Sequence, residues 1–458
     1  MRFRTLLVAL AALLAGCGTQ GSPFGFATDS AASSATQLST TGRYLVHFGA
    51  GVSPAAQDAA LAAAGDTLVR DISPLGVQIV SSNQADAGIA AQLVDYVEPD
   101  APVSAPALCD GNGQPVPVRS SWSPAGLTTA SASGGGVQSL ETTAAGVNDP
   151  LIADQWGLSA IHAQQAWGQT MGDGVIVAVI DTGVDLSHPD LAGNLVSGIS
   201  FVNSVQGASG SSDGDQVVPF HNVGPVDDNG HGTHVSGIIA AEADNGIGGA
   251  GVAPHCKIMP VKVLAYNTKG LEGDVASGIV WAVDHGARIL NLSLGGEGGS
   301  QTLARAVAYA EAHGALVVAA MGNDGQNPTL HDGADAEFPA SLPGVVAVGA
   351  TTADGQVAAY SDHGSWISVA APGSGILSTT PTYPVFEDLQ PGYDILSGTS
   401  MATPFVSGTA ALIWSKYPSL TADQVRQRLL HSATDLLFPG FDDFTGWGQV
   451  NAAAAVGA

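Results

Sequence analysis

Three segments of the 458-residue chain each set one reactive side chain among small residues. In Val179-Ile180-Asp181-Thr182-Gly183 a carboxylate follows directly on an apolar run. In Asn229-Gly230-His231-Gly232-Thr233-His234 an imidazole opens an apolar helical stretch, and in Ser397-Gly398-Thr399-Ser400-Met401-Ala402 a hydroxyl opens another. Taken singly they are a turn former, a histidine pair and a helix cap. Taken together they hold the parts of acyl transfer: a hydroxyl activated by an imidazole, a carboxylate to fix the imidazole's tautomer, and helix-start N–H groups to bind an oxyanion. His231 and His234 share a helix face and raise a metal site as well, but no H-E-x-x-H pattern or third ligand at a familiar spacing accompanies them.

For these side chains to meet, the elements that carry them must end at one edge of a sheet. Near-continuous apolar runs predict strands at 175–180, 257–263, 287–292, 315–320 and 345–349. Helices are predicted at 231–241, 272–285, 301–313, 400–416 and 421–431. Strand followed by helix, repeatedly, gives an α/β catalytic domain over 149–458 with a doubly wound, mainly parallel sheet and its site at the carboxyl ends of the strands. Ahead of it, strands at 44–48, 76–81 and 93–97 and helices at 54–64 and 84–91 make a small α+β unit over 41–100. Ser-, Thr-, Gly- and Pro-rich stretches read as a tether over 18–40 and a linker over 101–148.

Composition narrows the partners. Thirteen Lys and Arg against 40 Asp and Glu leave a net charge of −27, a field that repels phosphate backbones and anionic headgroups, so nucleic acid is not a partner. The balance suits an extracellular protein or one that collects calcium on carboxylates. Hydrophobic residues at 45% provide for a large core. Three cysteines give no disulfide framework, and Cys256 reads as a small buried hydrophobe. Residues 1–17 read as an export signal: Arg2 and Arg4 precede an apolar stretch, Leu6 to Leu14, too short to span a bilayer. Leu14-Ala15-Gly16-Cys17 resembles the lipobox of bacterial lipoproteins, in which the cysteine is acylated.

Asp, then His, then Ser, each flanked by glycine, resembles the subtilisin-like serine peptidases over about 149–457. Asn148-Asp149-Pro150 and Gln165-Ala166-Trp167-Gly168 are most similar to the thermitase-like branch. The resemblance implies Ser400 as nucleophile, His231 as general base and acid, Asp181 as its orienting carboxylate, and Asn323, in Val318-Ala319-Ala320-Met321-Gly322-Asn323, as oxyanion donor. It implies peptide-pairing edges at Gly270-Leu271-Glu272 and Ser293-Leu294-Gly295 and places Glu337, before Phe338-Pro339, at the base of the main specificity pocket. It also implies a structural calcium ion, with Asn245 and the carbonyls of Ala243, Ile247 and Gly249 as ligands alongside Asp190 and Asp149. The unit at 41–100 resembles the ferredoxin-like, inhibitory and chaperone-like propeptide of the family, which makes the chain's own propeptide a partner.

The function expected is a secreted, monomeric, self-processing serine endopeptidase, its precursor held at the cell envelope only by lipid on Cys17 and its mature domain extracellular. A binding protein on an inactive protease fold would have lost a triad residue or Asn323, and none is lost. A lipase would show G-x-S-x-G and place Ser before Asp before His. Insertions at 203–226 and 379–394 depart from the family pattern near the cleft rim.

Overall fold

The computed structural model describes residues 42–106, 147–202, 224–325 and 336–458. The expected signal peptide with Cys17, the tether, most of the linker and most of the insertion at 203–226 lie outside them.

The first unit runs β1 (Arg43–Phe48), α1 (Pro54–Ala64), β2 (Thr67–Ile72), β3 (Val77–Ser81) and β4 (Val94–Pro99). Its antiparallel sheet has the order β2-β3-β1-β4, that of a ferredoxin-like unit. The helix expected over 84–91 is instead two 3₁₀ turns, Ala85–Gly88 and Ala91–Leu93, because Ala87 and Gly88 take φ of 55° and 62°, which ends any right-handed helix. Strand β2 was not foreseen: adjacent Arg70 and Asp71 and a bulge between Leu68 and Arg70 blur its alternation. The chain continues past residue 100 as a further strand, β5 (Pro102–Ser104), inside what the composition marks as linker.

The larger unit is built on β6 (Ile176–Asp181), β7 (Ile199–Ser200), α2 (His231–Ala240), β8 (Lys257–Lys262), β9 (Lys269–Leu271), α3 (Glu272–Asp284), β10 (Ile289–Leu292), α4 (Gln301–Ala312), β11 (Leu316–Ala320), β12 (Val346–Thr351), β13 (Val369–Pro372), β14 (Ile376–Thr380), β15 (Gly392–Leu396), α5 (Thr399–Lys416) and α6 (Ala422–His431). Seven strands form the sheet β13-β12-β11-β10-β6-β8-β7, with every pair parallel. Alternation on β6 shows why both faces are covered. Val177 and Val179 pack with Val235 and Ile239 of α2 and Val406 of α5, while Ala178 and Ile180 pack with Val275 and Ile279 of α3 and Leu303 of α4. Strand order reverses between β6 and β10, a crevice at the carboxyl ends where α/β folds place their sites.

The two units meet on the N-terminal ends of α3 and α4. Leu45 and Ile79 pack at Gly273, where a side chain would approach them to 2.8 and 2.9 Å. Arg43 and Arg70 converge on Asp274, at 3.3 and 2.5 Å, Asp100 accepts the Gly273 N–H (2.8 Å), and Glu98 accepts those of Gln301 and Thr302 (3.0 and 2.9 Å). Asp100 and Glu98 thus satisfy helix-start donors and face the positive ends of the helix dipoles.

Candidate active site

Asp181 ends β6 and His231 begins α2, and their contact is a 2.8 Å hydrogen bond from His231 Nδ1 to Asp181 Oδ1, with both side chains fully buried. The acceptor fixes the tautomer: Nδ1 carries hydrogen and Nε2 is left unprotonated. Burial alone would lower the His231 pKa, but the carboxylates of Asp181, Asp227 and Glu387 outweigh it and hold the imidazole above its ordinary value. His234 is different. Its Nε2 faces the carbonyls of Ile376 and Asp394 (3.1 and 3.2 Å), and burial drives its pKa down to about 3, so it is a neutral donor in the core and no metal partner of His231.

Asp227 was missed by sequence reasoning although its chemistry is local. One oxygen accepts the N–H groups of Asn229 and Gly230 (3.1 and 2.8 Å) and the hydroxyl of Thr182 (2.9 Å); the other accepts the Thr233 N–H (2.9 Å). The Thr182 hydroxyl in turn accepts the Gly232 N–H at 2.9 Å, so one carboxylate ties the end of β6 to the start of α2. Beside it Lys262, fully buried, pairs with Asp228 at 2.6 Å, which compensates two charges removed from water. The sequence signal was the doublet Asp227-Asp228 just ahead of a glycine-bounded helix start.

Ser400 is the second residue of α5, whose cap is Gly398, so its hydroxyl does not cap the helix. It donates instead to Ser293 O (3.3 Å), while Ser293 Oγ donates to Ser400 O (2.8 Å) and His231 Nε2 has no hydrogen-bond partner. Asn323 follows β11. Its Oδ1 accepts both the N–H and the hydroxyl of Thr399 at 2.9 Å, which fixes the amide plane and sets Nδ2 beside Gly398.

A strand already lies in the cleft. β5 pairs antiparallel with β9, Pro102 opposite Leu271 and Val103 opposite Gly270, and Ser104 exchanges two backbone hydrogen bonds with Gly295 (3.0 and 2.9 Å). Glu272 takes part through its N–H, bonded to Ala101 O (3.0 Å); its carboxyl is buried and pushed up to about 8 by that burial. Leu294 turns its side chain into the core, so of the second edge Ser293 and Gly295 face the cleft. Glu337 is half-buried, its carboxylate 2.7 Å from where a Cβ on Gly295 would stand, and its oxygens lie within 4.8 Å of those of Asp324 and Asp362. Asp324 and Asp362 were not foreseen, since they are ordinary acids in sequence and only the fold sets them beside Glu337.

Residues 243–249 wrap two carboxylates. Asp149 accepts the N–H groups of Asp244, Asn245 and Gly246 (2.7, 3.0 and 3.1 Å), and Asp190 accepts the Asn245 amide (2.7 Å). Burial, with Asp149 nearby, pushes Asp190 up to about 6. Two buried carboxylates and a side-chain amide gathered by one loop are hard-oxygen donors, and they fit a calcium ion. Cys256 is fully buried, and burial pushes its thiol up to about 12.

The model of the subtilase family matches residues 172–448. The chain belongs to the subtilase family. Thermitase from Thermoactinomyces vulgaris is 40% identical over 310 residues, 68% of this subtilase and 98% of that protein. Subtilisin DY from Bacillus licheniformis is 40% identical over 301 residues, 66% of this chain and 97% of that one. Fervidolysin from Fervidobacterium pennivorans is 38% identical over 339 residues, 69% of this chain and 46% of fervidolysin, so the subtilase spans about half of that protein's length. The crystal structure of fervidolysin, described as a keratinolytic enzyme related to subtilisin, superposes with a TM-score of 0.73 at 30% identity, over 92% of this chain and 62% of that one. As a subtilase the chain is classed with the subtilisin-like serine proteases. Among the described residues no helix is long and apolar enough to cross a membrane.

Proposed function

We propose that the chain is an exported serine endopeptidase, made as a self-processing zymogen and stabilised by calcium. Ser400 turns from Ser293 O toward His231 Nε2, gives up its proton there and attacks the peptide carbonyl carbon. His231 passes that proton to the leaving amine, Asp181 stabilises the imidazolium, and water then hydrolyses the acyl-enzyme by the same route reversed. The Asn323 amide and the Ser400 N–H hold the oxyanion. The observation that carries this reading is the peptide strand in the cleft: β5 pairs with β9 and Gly295, two residues from Ser293, whose carbonyl touches the Ser400 hydroxyl. Backbone pairing of this kind accepts many sequences and leaves selection to pockets.

The unit at 41–100 acts as inhibitor and folding template, holding β5 in place through Asp274, Gly273 and the start of α4. Lipid on Cys17 anchors the precursor, and cleavage in the linker frees the catalytic domain. Glu337, at the base of the main specificity pocket and beside Gly295, favours Lys or Arg by charge pairing. Digestion of a peptide library tests both activity and pocket: the wild type is expected to cut after basic residues, and Glu337→Gln to lose that bias. Equal cleavage after Arg and Phe by both proteins would reject the charged pocket, and no cleavage at all the peptidase.

Calcium held by Asp149, Asp190, Asn245 and the carbonyls of Ala243, Ile247 and Gly249 acts on stability alone. A ligand bound only by the native state at one hundred times its dissociation constant contributes about 2.7 kcal/mol. Chelation is therefore expected to lower the melting temperature, and Asp190→Ala to mimic it. Unchanged melting after verified metal loss would reject the site.

A further inference from the structure

Between β14 and β15, residues 381–391 belong to the segment that departs from the family pattern, and they are seated on the residues that lead into His231. Phe386 donates its N–H to Asp228 O (3.2 Å), and Tyr383 its hydroxyl to Asp227 O (3.0 Å). The Phe386 ring meets Tyr266 edge-on at 4.9 Å, Thr382 is bonded twice to Asp185 (3.0 and 2.7 Å), and Leu389 packs closely over Gly230. The segment is thus fixed at several points. From it Glu387 reaches Asn229. The Asn229 amide donates to Glu387 Oε1 (3.4 Å) and to Tyr266 O (2.7 Å), and its side-chain oxygen accepts the backbone N–H of His231 (3.1 Å). One side-chain amide therefore joins a carboxylate of the loop to the residue that must act as base.

We infer that Glu387 is a positioning residue for His231, acting on it through Asn229 and by its own negative charge. The inference rests on the peptidase reading. The charged and titratable groups around the imidazole come from four elements: Asp181 at the end of β6, Asp227 ahead of α2, His234 one turn along α2, and Glu387. The Asp228 carboxylate is paired with Lys262 of β8. Of the three carboxylates that favour imidazolium, Asp181 and Asp227 also hold the local backbone, whereas Glu387 stands on a loop and can be neutralised without removing a cap. Glu387 is half-buried, and that burial raises its pKa, which marks the carboxylate as partly desolvated.

The sign is fixed by the role. Catalysis needs neutral His231, and a carboxylate nearby favours the protonated form, so Glu387 moves the acid limb of kcat/KM to higher pH. In Glu387→Gln the limb is expected to move to lower pH, and the ratio of variant to wild-type kcat/KM to rise as pH falls through it. Glu387→Asp, which keeps the charge, is expected to hold the limb near the wild-type position. A purely structural part for Glu387 would lower activity at every pH and leave the limb in place, and that result overturns the inference. Titration of the His231 ring by NMR in the Ser400→Ala background measures the same shift without turnover. There, an imidazole that titrates at the same pH with and without the added Glu387→Gln substitution would count against the inference, while an inactive wild type would count against the peptidase reading alone.

Discussion

Ser400→Ala is expected to abolish peptidase activity and with it the maturation of the chain. Removal of the same hydroxyl from subtilisin costs about 10⁶ in kcat, and this subtilase shares its motif order and fold, so a loss of that size is expected here. The effect on maturation follows from the cleft: β5 is already paired to β9 and Gly295, two residues from Ser293, whose carbonyl accepts the Ser400 hydroxyl. Leu108 and Arg119, in the linker after this strand, are the candidate cut sites, the first for a pocket that prefers large apolar residues and the second for one that Glu337 makes basic-selective. The variant should accumulate as full-length precursor in the membrane fraction, its Cys17 lipid still attached, while the wild type releases its catalytic domain to the medium. Fractionation with an antibody to the catalytic domain reads both. Normal maturation of Ser400→Ala in a host without other peptidases would defeat self-processing, and mature wild-type enzyme confined to membranes would defeat release.

The elements that carry the site were legible in the sequence because each has a strong local signal. Apolar runs locate β6, β8, β10, β11 and β12 to within a residue or two, and the start of α2 at His231 follows from glycine on either side of it. Strands β13, β14 and β15 were not foreseen. Gly392–Leu396 carries Tyr393 and Asp394 at half-buried positions, and β13 is only four residues long, so neither shows a clear period. Among site residues, those in glycine-flanked motifs were found and those acting across the fold were not. Thr399, Asp362 and Glu387 are ordinary polar residues in sequence; what distinguishes them is a partner between 38 and 158 positions away, supplied by the reversal of strand order and by the hairpin of β14 and β15. The nominal linker boundary at residue 100 likewise ignored β5, whose three residues become a strand only because β9 lends them an edge.

Asn323→Ala is expected to lower kcat by about 10² to 10³, the magnitude found for the matching donor of subtilisin, while KM changes little. The amide has no substrate oxyanion to bind until the carbonyl becomes tetrahedral, so its hydrogen bond strengthens in the transition state and contributes little to ground-state binding. Its aim depends on Thr399, which grips Oδ1 with both its N–H and its hydroxyl. Thr399→Val removes one of those two bonds and leaves the backbone donor, so a smaller loss in kcat is expected, in the same direction and again without a change in KM. Steady-state kinetics on an uncharged peptide substrate, with acylation followed in single turnover, separates these terms. A rise in KM equal to the fall in kcat/KM would mean that Asn323 binds substrate and not the oxyanion. Full activity in Asn323→Ala would mean that the Ser400 N–H at the start of α5 holds the charge unaided, and the geometry that sets the Asn323 amide beside Gly398 would then need another purpose.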